Sequence, residues 1–336
     1  MQARVYKIHS DFYYVKNDEH KEFVCKLRDV LKKQKIDIRV GDFVKLSQDN
    51  NFINELIPRK NCLSRPKVAN IDIVLIVCAL KEPELDLIQL NRYLTYLKFN
   101  NINCAICFNK EDLIEDLSTQ KERISNIYQK LGYDLFFISA KEKLELDELK
   151  NYIKNKTIAL CGMSGVGKST LLNSLNPEIF LKTGEVSQKT QKGCHTTRHC
   201  EIIETDEYKI MDTPGFSCLK FDFLLPEELI NLFDDIKKYA NNCKYCDCLH
   251  DVGEDNICSV YDNLDKIEKT RYESYINFLQ EAKEYKELIS KRSIKKEDTN
   301  KKTGDRISVK ISKRKRDVSR NTAKQKFKDY NNNENL

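Results

Sequence analysis

The segment Gly162-Met163-Ser164-Gly165-Val166-Gly167-Lys168-Ser169 constrains this chain more than any other. It fits G-x-x-x-x-G-K-[ST], with the apolar run Thr157–Cys161 before it and the helix-spaced Thr170–Leu175 after it. A strand that turns through glycines directly into a helix is the opening unit of an α/β sheet. The same pattern carries chemistry. Glycines let backbone N–H groups turn inward around phosphates, Lys168 sets a positive charge on the phosphate oxygens, Ser169 offers a hydroxyl to Mg2+, and the helix start adds its dipole. A nucleoside triphosphate is the implied ligand, within reach of the whole stretch from Gly162 to Thr170.

The surrounding sequence agrees with that beginning. Ile73–Ala79 is a continuous apolar strand, Leu87–Leu97 has helical spacing, and Asn103–Phe108 is a strand. Helix Leu113–Leu131, strand Leu135–Ile138 and helix Leu144–Ile153 follow, with a last strand at Tyr208–Met211. Alternation of this kind predicts a mainly parallel sheet with helices on both faces. Residues 1–62 read differently, as five short strands: Arg4–Ile8, Phe12–Val15, Glu22–Leu27, Asp42–Leu46 and Phe52–Ile57. An OB-fold barrel is the commonest such solution, and a small all-β adaptor without a ligand is the alternative. Residues 63–222 form the α/β domain and 223–290 a largely helical one. Residues 291–336 lack hydrophobic periodicity, end in NNNENL and read as a disordered tail.

Four further motifs refine the ligand. Asp212-Thr213-Pro214-Gly215 follows the strand Tyr208–Met211; an acid there holds magnesium through water, and the Gly215 N–H reaches a γ-phosphate. Thr183–Arg198 is polar and aperiodic, as a switch loop ordered by that phosphate would be, and Thr196 or Thr197 supplies a hydroxyl to the metal. Asn109-Lys110-Glu111-Asp112 fits N-K-x-D at a strand end: Asp112 accepts from the two ring-edge N–H groups of guanine, Asn109 ties the loop and the Lys110 stem lies over the base. Ser139-Ala140-Lys141 presents a backbone N–H to the guanine oxygen. Each of the last two is weak alone; together, beside the phosphate loop, they select GTP over ATP. Their order is unusual, because the guanine motifs precede the phosphate loop. A site needs proximity in space and not in sequence, and joining old termini while cutting elsewhere preserves it. The sequence therefore predicts a circularly permuted P-loop GTPase domain in which the segment after Gly215 leads into the C-terminal domain.

Composition bounds the setting. The 336 residues are 33% charged with a mean hydropathy of -0.60, and the longest apolar run, Ile73–Leu80, is too short to cross a bilayer. The N-terminus lacks an apolar export segment, so a cytoplasmic location and a monomer without membrane contact are expected. The net charge of +6 is uneven: sixteen Lys and Arg against six Asp and Glu from Lys291 onward give the tail +10 and leave -4 for the rest. An arm that meets polyanions is implied. Of the 13 cysteines, Cys243, Cys246, Cys248 and Cys258 cluster around His250. In a reducing compartment that spacing indicates one structural Zn2+. Cys243, Cys248, His250 and Cys258 are the chosen ligands; spacing alone also allows a set using Cys243 and Cys246.

Together these residues resemble the circularly permuted GTPases of the ribosome small-subunit-dependent GTPase A family (RsgA, also called YjeQ). The resemblance covers residues 1–290. It includes Pro58-Arg59-Lys60, Leu63, Arg65-Pro66, Ala69-Asn70-Ile71-Asp72, the nucleotide motifs, Gly193-x-His195-Thr196-Thr197 and Arg271-Tyr272-x-x-Tyr275. It implies an N-terminal OB-fold, a permuted GTPase domain and a C-terminal helical zinc-binding domain. It also implies GTP hydrolysis stimulated by the small ribosomal subunit during late subunit maturation, with rRNA as a contact. Gly215 is followed by Phe216, so the glutamine that orients water in Ras-like GTPases is missing and slow unaided turnover is expected. The resemblance makes His195 the candidate to position water beside the catalytic Lys168. Two other functions compete: a guanine-nucleotide sensor that binds rRNA and barely hydrolyses, and an RNA-binding zinc module with a vestigial nucleotide site. The intact Lys168, Ser169, Asp212 and Asp112 speak against the latter.

Overall fold

The computed structural model describes residues 1–176, 200–205, 207–212, 219–245, 247–251, 258–297, 302–303 and 306–307. Strands β1 (Gln2–His9), β2 (Phe12–Lys16), β3 (Glu22–Leu27), β4 (Phe43–Leu46) and β5 (Phe52–Leu56) come first, with a short helix α1 (Asp29–Lys33) after β3. Alternate residues point inward, so Ala3, Val5, Val15, Cys25, Leu27, Val44, Leu46 and Ile53 are buried while their neighbours face out. β1 pairs with β2 and, at its start, with β4; β3 pairs with β5, and β5 with β4. The circuit closes as the five-stranded barrel expected of an OB-fold.

A two-stranded ribbon, β6 (Cys62–Leu63) and β7 (Val68–Ala69), leads into the α/β unit. There β8 (Ile73–Ala79), β9 (Cys104–Asn109), β10 (Asp134–Phe137), β11 (Thr157–Cys161) and β13 (Lys209–Asp212) run parallel in the order β10-β9-β8-β11-β13. Helices α2 (Leu87–Phe99) and α3 (Leu117–Tyr128) cover one face; α4 (Leu146–Ile153) and α5 (Lys168–Leu175) cover the other. This explains why Ile73–Ala79 is apolar throughout. Val74, Ile76 and Cys78 pack under α2 and α3, whereas Ile73, Leu75 and Val77 pack under α4 and α5. Besides the β6–β7 ribbon, a further strand departs from the sequence expectation: β12 (Glu201–Glu204) adds antiparallel to β13.

The barrel and the α/β sheet are continuous, because β1 pairs with β12 at Lys7 and Glu201, whose side chains also form an ion pair at 2.9 Å. The joint is polar and close-packed. Gly41 has φ of +97°, and a Cβ there would stand 2.0 Å from the Ala69 carbonyl and 2.7 Å from Met211, so only glycine allows this approach. Asn70 donates to the Gly41 carbonyl at 2.9 Å and accepts from the Lys60 N–H at 2.8 Å. Arg59 holds the fully buried Asp42 with two bonds of 2.7 and 2.8 Å, and Asp72 accepts from the Thr157 N–H at 2.8 Å. The motif residues between Pro58 and Asp72 therefore build the joint between barrel and sheet.

Helices α6 (Pro226–Leu229), α7 (Asp234–Ala240) and α8 (Lys269–Glu297) follow. They enclose a third core of Phe221, Leu224, Phe233, Ile236, Val260, Tyr275 and Phe278, each fully or almost fully buried and each worth about 2 kcal/mol by removal from water. α8 runs through Glu297, past the Ser290 end expected from the sequence, because its final turns carry the good helix formers Lys and Arg instead of a capping glycine. Beyond it, Lys302–Thr303 pairs with Arg306–Ile307; the remainder of the 291–336 tail lies outside the described residues.

Candidate functional site

In a parallel sheet every strand delivers its following loop to the same edge. Asn109 ends β9, Ser139 follows β10, Gly162 follows β11 and Asp212 ends β13, so motifs a hundred residues apart share one edge. The decisive side chain is Asn109, 2% exposed. Its Nδ2 donates to the Val166 carbonyl at 2.9 Å, and its Oδ1 accepts from the Ala140 N–H at 2.9 Å. One amide thus ties together the three loops that the sequence assigns to guanine and phosphate. Gly167 belongs to the same contact: its φ is +94°, and a Cβ there would lie 2.3 Å from Asn109 Nδ2. The glycine of the G-K-S sequence is required by the asparagine as well as by the turn.

The neighbouring groups divide into held and exposed. Lys168 opens α5, and its Nζ donates to the Gly162 and Met163 carbonyls at 2.8 and 2.6 Å; burial lowers its pKa from the usual lysine value. Lys110 sits in the left-handed region at φ 66°, and its Nζ donates to the Glu82 carbonyl. Ser139 is fully buried, with its Oγ accepting from the Glu142 N–H at 3.1 Å. Glu111 points away from the edge and pairs with Lys121 of α3 at 3.0 Å. Asp112, Lys141, Met163, Ser164, Gly165, Ser169 and Thr170 are exposed along the edge. His195, Thr196, Thr197 and Gly215 lie outside the described residues. A cleft of about 830 Å³ opens at the opposite end of the strands, near Asp72, Asn103 and Asp134; its charges are mixed and none of the nucleotide motifs lines it.

The second cluster lies against α8. The donor atoms of Cys243, Cys248, His250 and Cys258 all fall within 4.8 Å of one another. Cys243 Sγ is 3.4 Å from His250 Nδ1 and 3.9 Å from Cys258 Sγ; Cys248 and Cys258 Sγ are 3.8 Å apart, and Cys258 Sγ is 3.7 Å from His250 Nδ1. A tetrahedron with metal–sulfur bonds of about 2.3 Å has sulfur–sulfur edges of about 3.8 Å. The donor set therefore fits a tetrahedral metal ion. Burial pushes the Cys258 thiol up to about 11 and lowers His250. A bound cation would reverse the thiol's preference by taking the thiolate. Two tyrosines on α8 fix the cluster from behind. Tyr272 donates to the His250 carbonyl at 3.0 Å and Tyr275 to the Leu249 carbonyl at 2.8 Å. Cys246 lies outside the described residues.

The chain matches the RsgA N-terminal domain profile over residues 2–52 and the RsgA GTPase profile over residues 56–222. A profile described as 50S ribosome-binding GTPase matches residues 157–291. The small ribosomal subunit biogenesis GTPase RsgA of Clostridium novyi is 40% identical over 286 residues, 84% of this chain and 97% of that protein. The chain belongs to the RsgA GTPase family.

A Clostridium botulinum RsgA of the same description is 38% identical over 287 residues. Among solved structures, YjeQ from Thermotoga maritima superposes with a TM-score of 0.70 at 30% identity, covering 84% of this chain and 98% of that one. YloQ, described as a circularly permuted GTPase, superposes at 0.67 with 31% identity, covering 84% and 95%. The RsgA chain described here is accordingly a GTP hydrolase with a permuted α/β domain. No helix among its described residues is long and apolar enough to cross a membrane. Sequence reasoning did not foresee what holds the C-terminal helices to the GTPase sheet. Arg271 grips Asp235 with two bonds of 2.9 and 3.0 Å and donates to Asn91 Oδ1 on α2 at 3.1 Å. Asn91 Nδ2 reaches Ser274 Oγ at 2.9 Å, and the Tyr128 hydroxyl donates to Asn91 Oδ1 at 3.2 Å. Only the motif spacing Arg271-Tyr272-x-x-Tyr275 hinted at it.

Proposed function

We propose that the chain binds the small ribosomal subunit and hydrolyses GTP during late subunit maturation, with the subunit stimulating turnover. The observation that carries this reading is the Asn109 amide, which joins the guanine loop, the Ala140 N–H and the phosphate loop in an RsgA chain. In this reading Asp112 and the backbone of the Ser139-Ala140-Lys141 loop select guanine, the Lys110 stem lies over the base, and residues 162–170 cradle the phosphates. Lys168 stabilises charge on the transferring phosphoryl group. Ser169, Thr197 and Asp212 hold magnesium, which screens phosphate charge when bound. His195 positions water in place of the missing glutamine. Cys243, Cys248, His250 and Cys258 hold one structural zinc ion.

The proposed division is a barrel over 1–62, a GTPase domain over 63–222, a zinc domain over 223–290 and a basic tail. The barrel and zinc domain meet rRNA, and the tail adds salt-sensitive attraction. The protein acts as a monomer in the cytoplasm. Phosphate release with and without purified small subunits tests the reading: stimulation supports it, and equal rates favour the nucleotide sensor, for which Phe216 after Gly215 argues. His195→Ala should lower stimulated turnover while GTP binding survives; unchanged turnover would remove that assignment.

A further inference from the structure

β13 ends at Asp212, and the chain returns to the described residues at Leu219. There it is gripped. The Leu219 carbonyl accepts from Arg92 Nη1 at 3.2 Å, and the Phe221 N–H donates to Glu281 Oε2 at 3.0 Å. Arg92 and Glu281 are themselves paired through both arms, Nη1 to Oε2 at 2.8 Å and Nη2 to Oε1 at 2.7 Å. The guanidinium lies over Phe278 at 4.5 Å and Phe221 at 5.4 Å, and the two side chains are 14% and 29% exposed. Burial alone would raise the Glu281 carboxyl; the bonds from Arg92 and the Phe221 N–H outweigh it and hold the group below the usual glutamate value.

The position of the clamp matters more than its strength. Arg92 belongs to α2, whose N-cap Asp86 lies four residues from Glu82, the acceptor of Lys110 Nζ on the guanine loop. Glu281 belongs to α8, which carries Tyr272 and Tyr275 against the metal cluster. Three parts of the chain therefore meet at one ion pair: the helix that starts beside the nucleotide edge, the helix behind the metal cluster, and the segment 219–221. We infer that Arg92 and Glu281 are positioning residues for GTP hydrolysis, tying the chain at Leu219 and Phe221, seven to nine residues after Asp212, to both α2 and α8. The inference rests on the GTPase reading above. A plain packing ion pair would contribute only to stability, and a partly exposed one would contribute little.

The test uses the full chain and purified small subunits. Glu281→Gln keeps the shape and removes the charge; Arg92→Lys keeps the charge and removes the fork that reaches both Glu281 and Leu219. Fluorescent-nucleotide titration, phosphate-release kcat and KM, and the thermal midpoint are measured for each. If the residues position the reaction, both variants bind GTP within about twofold of wild type and keep KM, while stimulated kcat falls by about tenfold or more. A kcat within about twofold of wild type in both variants, whatever the thermal midpoint, overturns the inference and leaves the GTPase reading standing. A wild-type chain that shows no hydrolysis with subunits overturns both.

Discussion

Asn109 shows how much one amide can decide. Its two polar atoms are each committed to a backbone group of another loop, so truncation leaves the Val166 carbonyl and Ala140 N–H unpaired in a buried site. Asn109→Ala should cost about 2 kcal/mol in chemical denaturation and weaken GTP binding about tenfold or more in nucleotide titration. Gly167→Ala should do comparable harm, since its Cβ collides with the same Nδ2. The two losses should add up to less in the double variant than the singles suggest, because both break one contact. Lys168→Ala should lower binding and turnover together. The letters of these motifs were readable in the sequence because each is local: a glycine turn, an acid two residues after a lysine. The bond from Asn109 to Val166 spans 57 positions, and no periodicity reports it.

Strands and helices were readable where their pattern was long and repeated. Ile73–Ala79 and Thr157–Cys161 follow from apolar runs bounded by polar residues, and the barrel strands from short runs separated by turn residues. β12 was missed for a physical reason: Glu201-Ile-Ile-Glu204 is four residues with charge at both ends, and one of its two partners, β1, meets it from 194 positions away. The docking of α8 on α2 was equally invisible, since Arg271 and Asn91 are 180 positions apart. That network makes a strong prediction. Arg271→Ala would strand the largely buried Asp235 carboxylate and leave Asn91 Oδ1 with the Tyr128 hydroxyl alone, and should cost about 3 kcal/mol or more, read by denaturant melting. Removing metal should loosen the same lobe. A chelator should lower the thermal midpoint and raise tyrosine accessibility around Tyr272 and Tyr275, with zinc and not magnesium restoring both.

Across the whole molecule, the reversed motif order has a mechanical result. The strand bearing Asp212 leads through the Arg92–Glu281 clamp into the helices around the metal cluster, so the nucleotide edge and the C-terminal lobe are joined by chain as well as by contact. The tail can be tested separately. Because α8 runs to Glu297, deleting residues 298–336 leaves the helix whole and should flatten the salt dependence of subunit binding.

The eleven-stranded sheet also bears on solubility. Its order ends at β10 on one side and runs through β12 into the barrel on the other, so β1 lies against a strand that would otherwise be an open flank. Bare flanks recruit other chains, and a flank with Ile202 and Ile203 at its centre invites stacking. A chain beginning after the barrel should therefore self-associate in light scattering as its concentration rises. Ile203→Lys should suppress that self-association, as a gatekeeper charge does on natural exposed strands. The N-terminal barrel would then act as a guard against aggregation before it meets any partner.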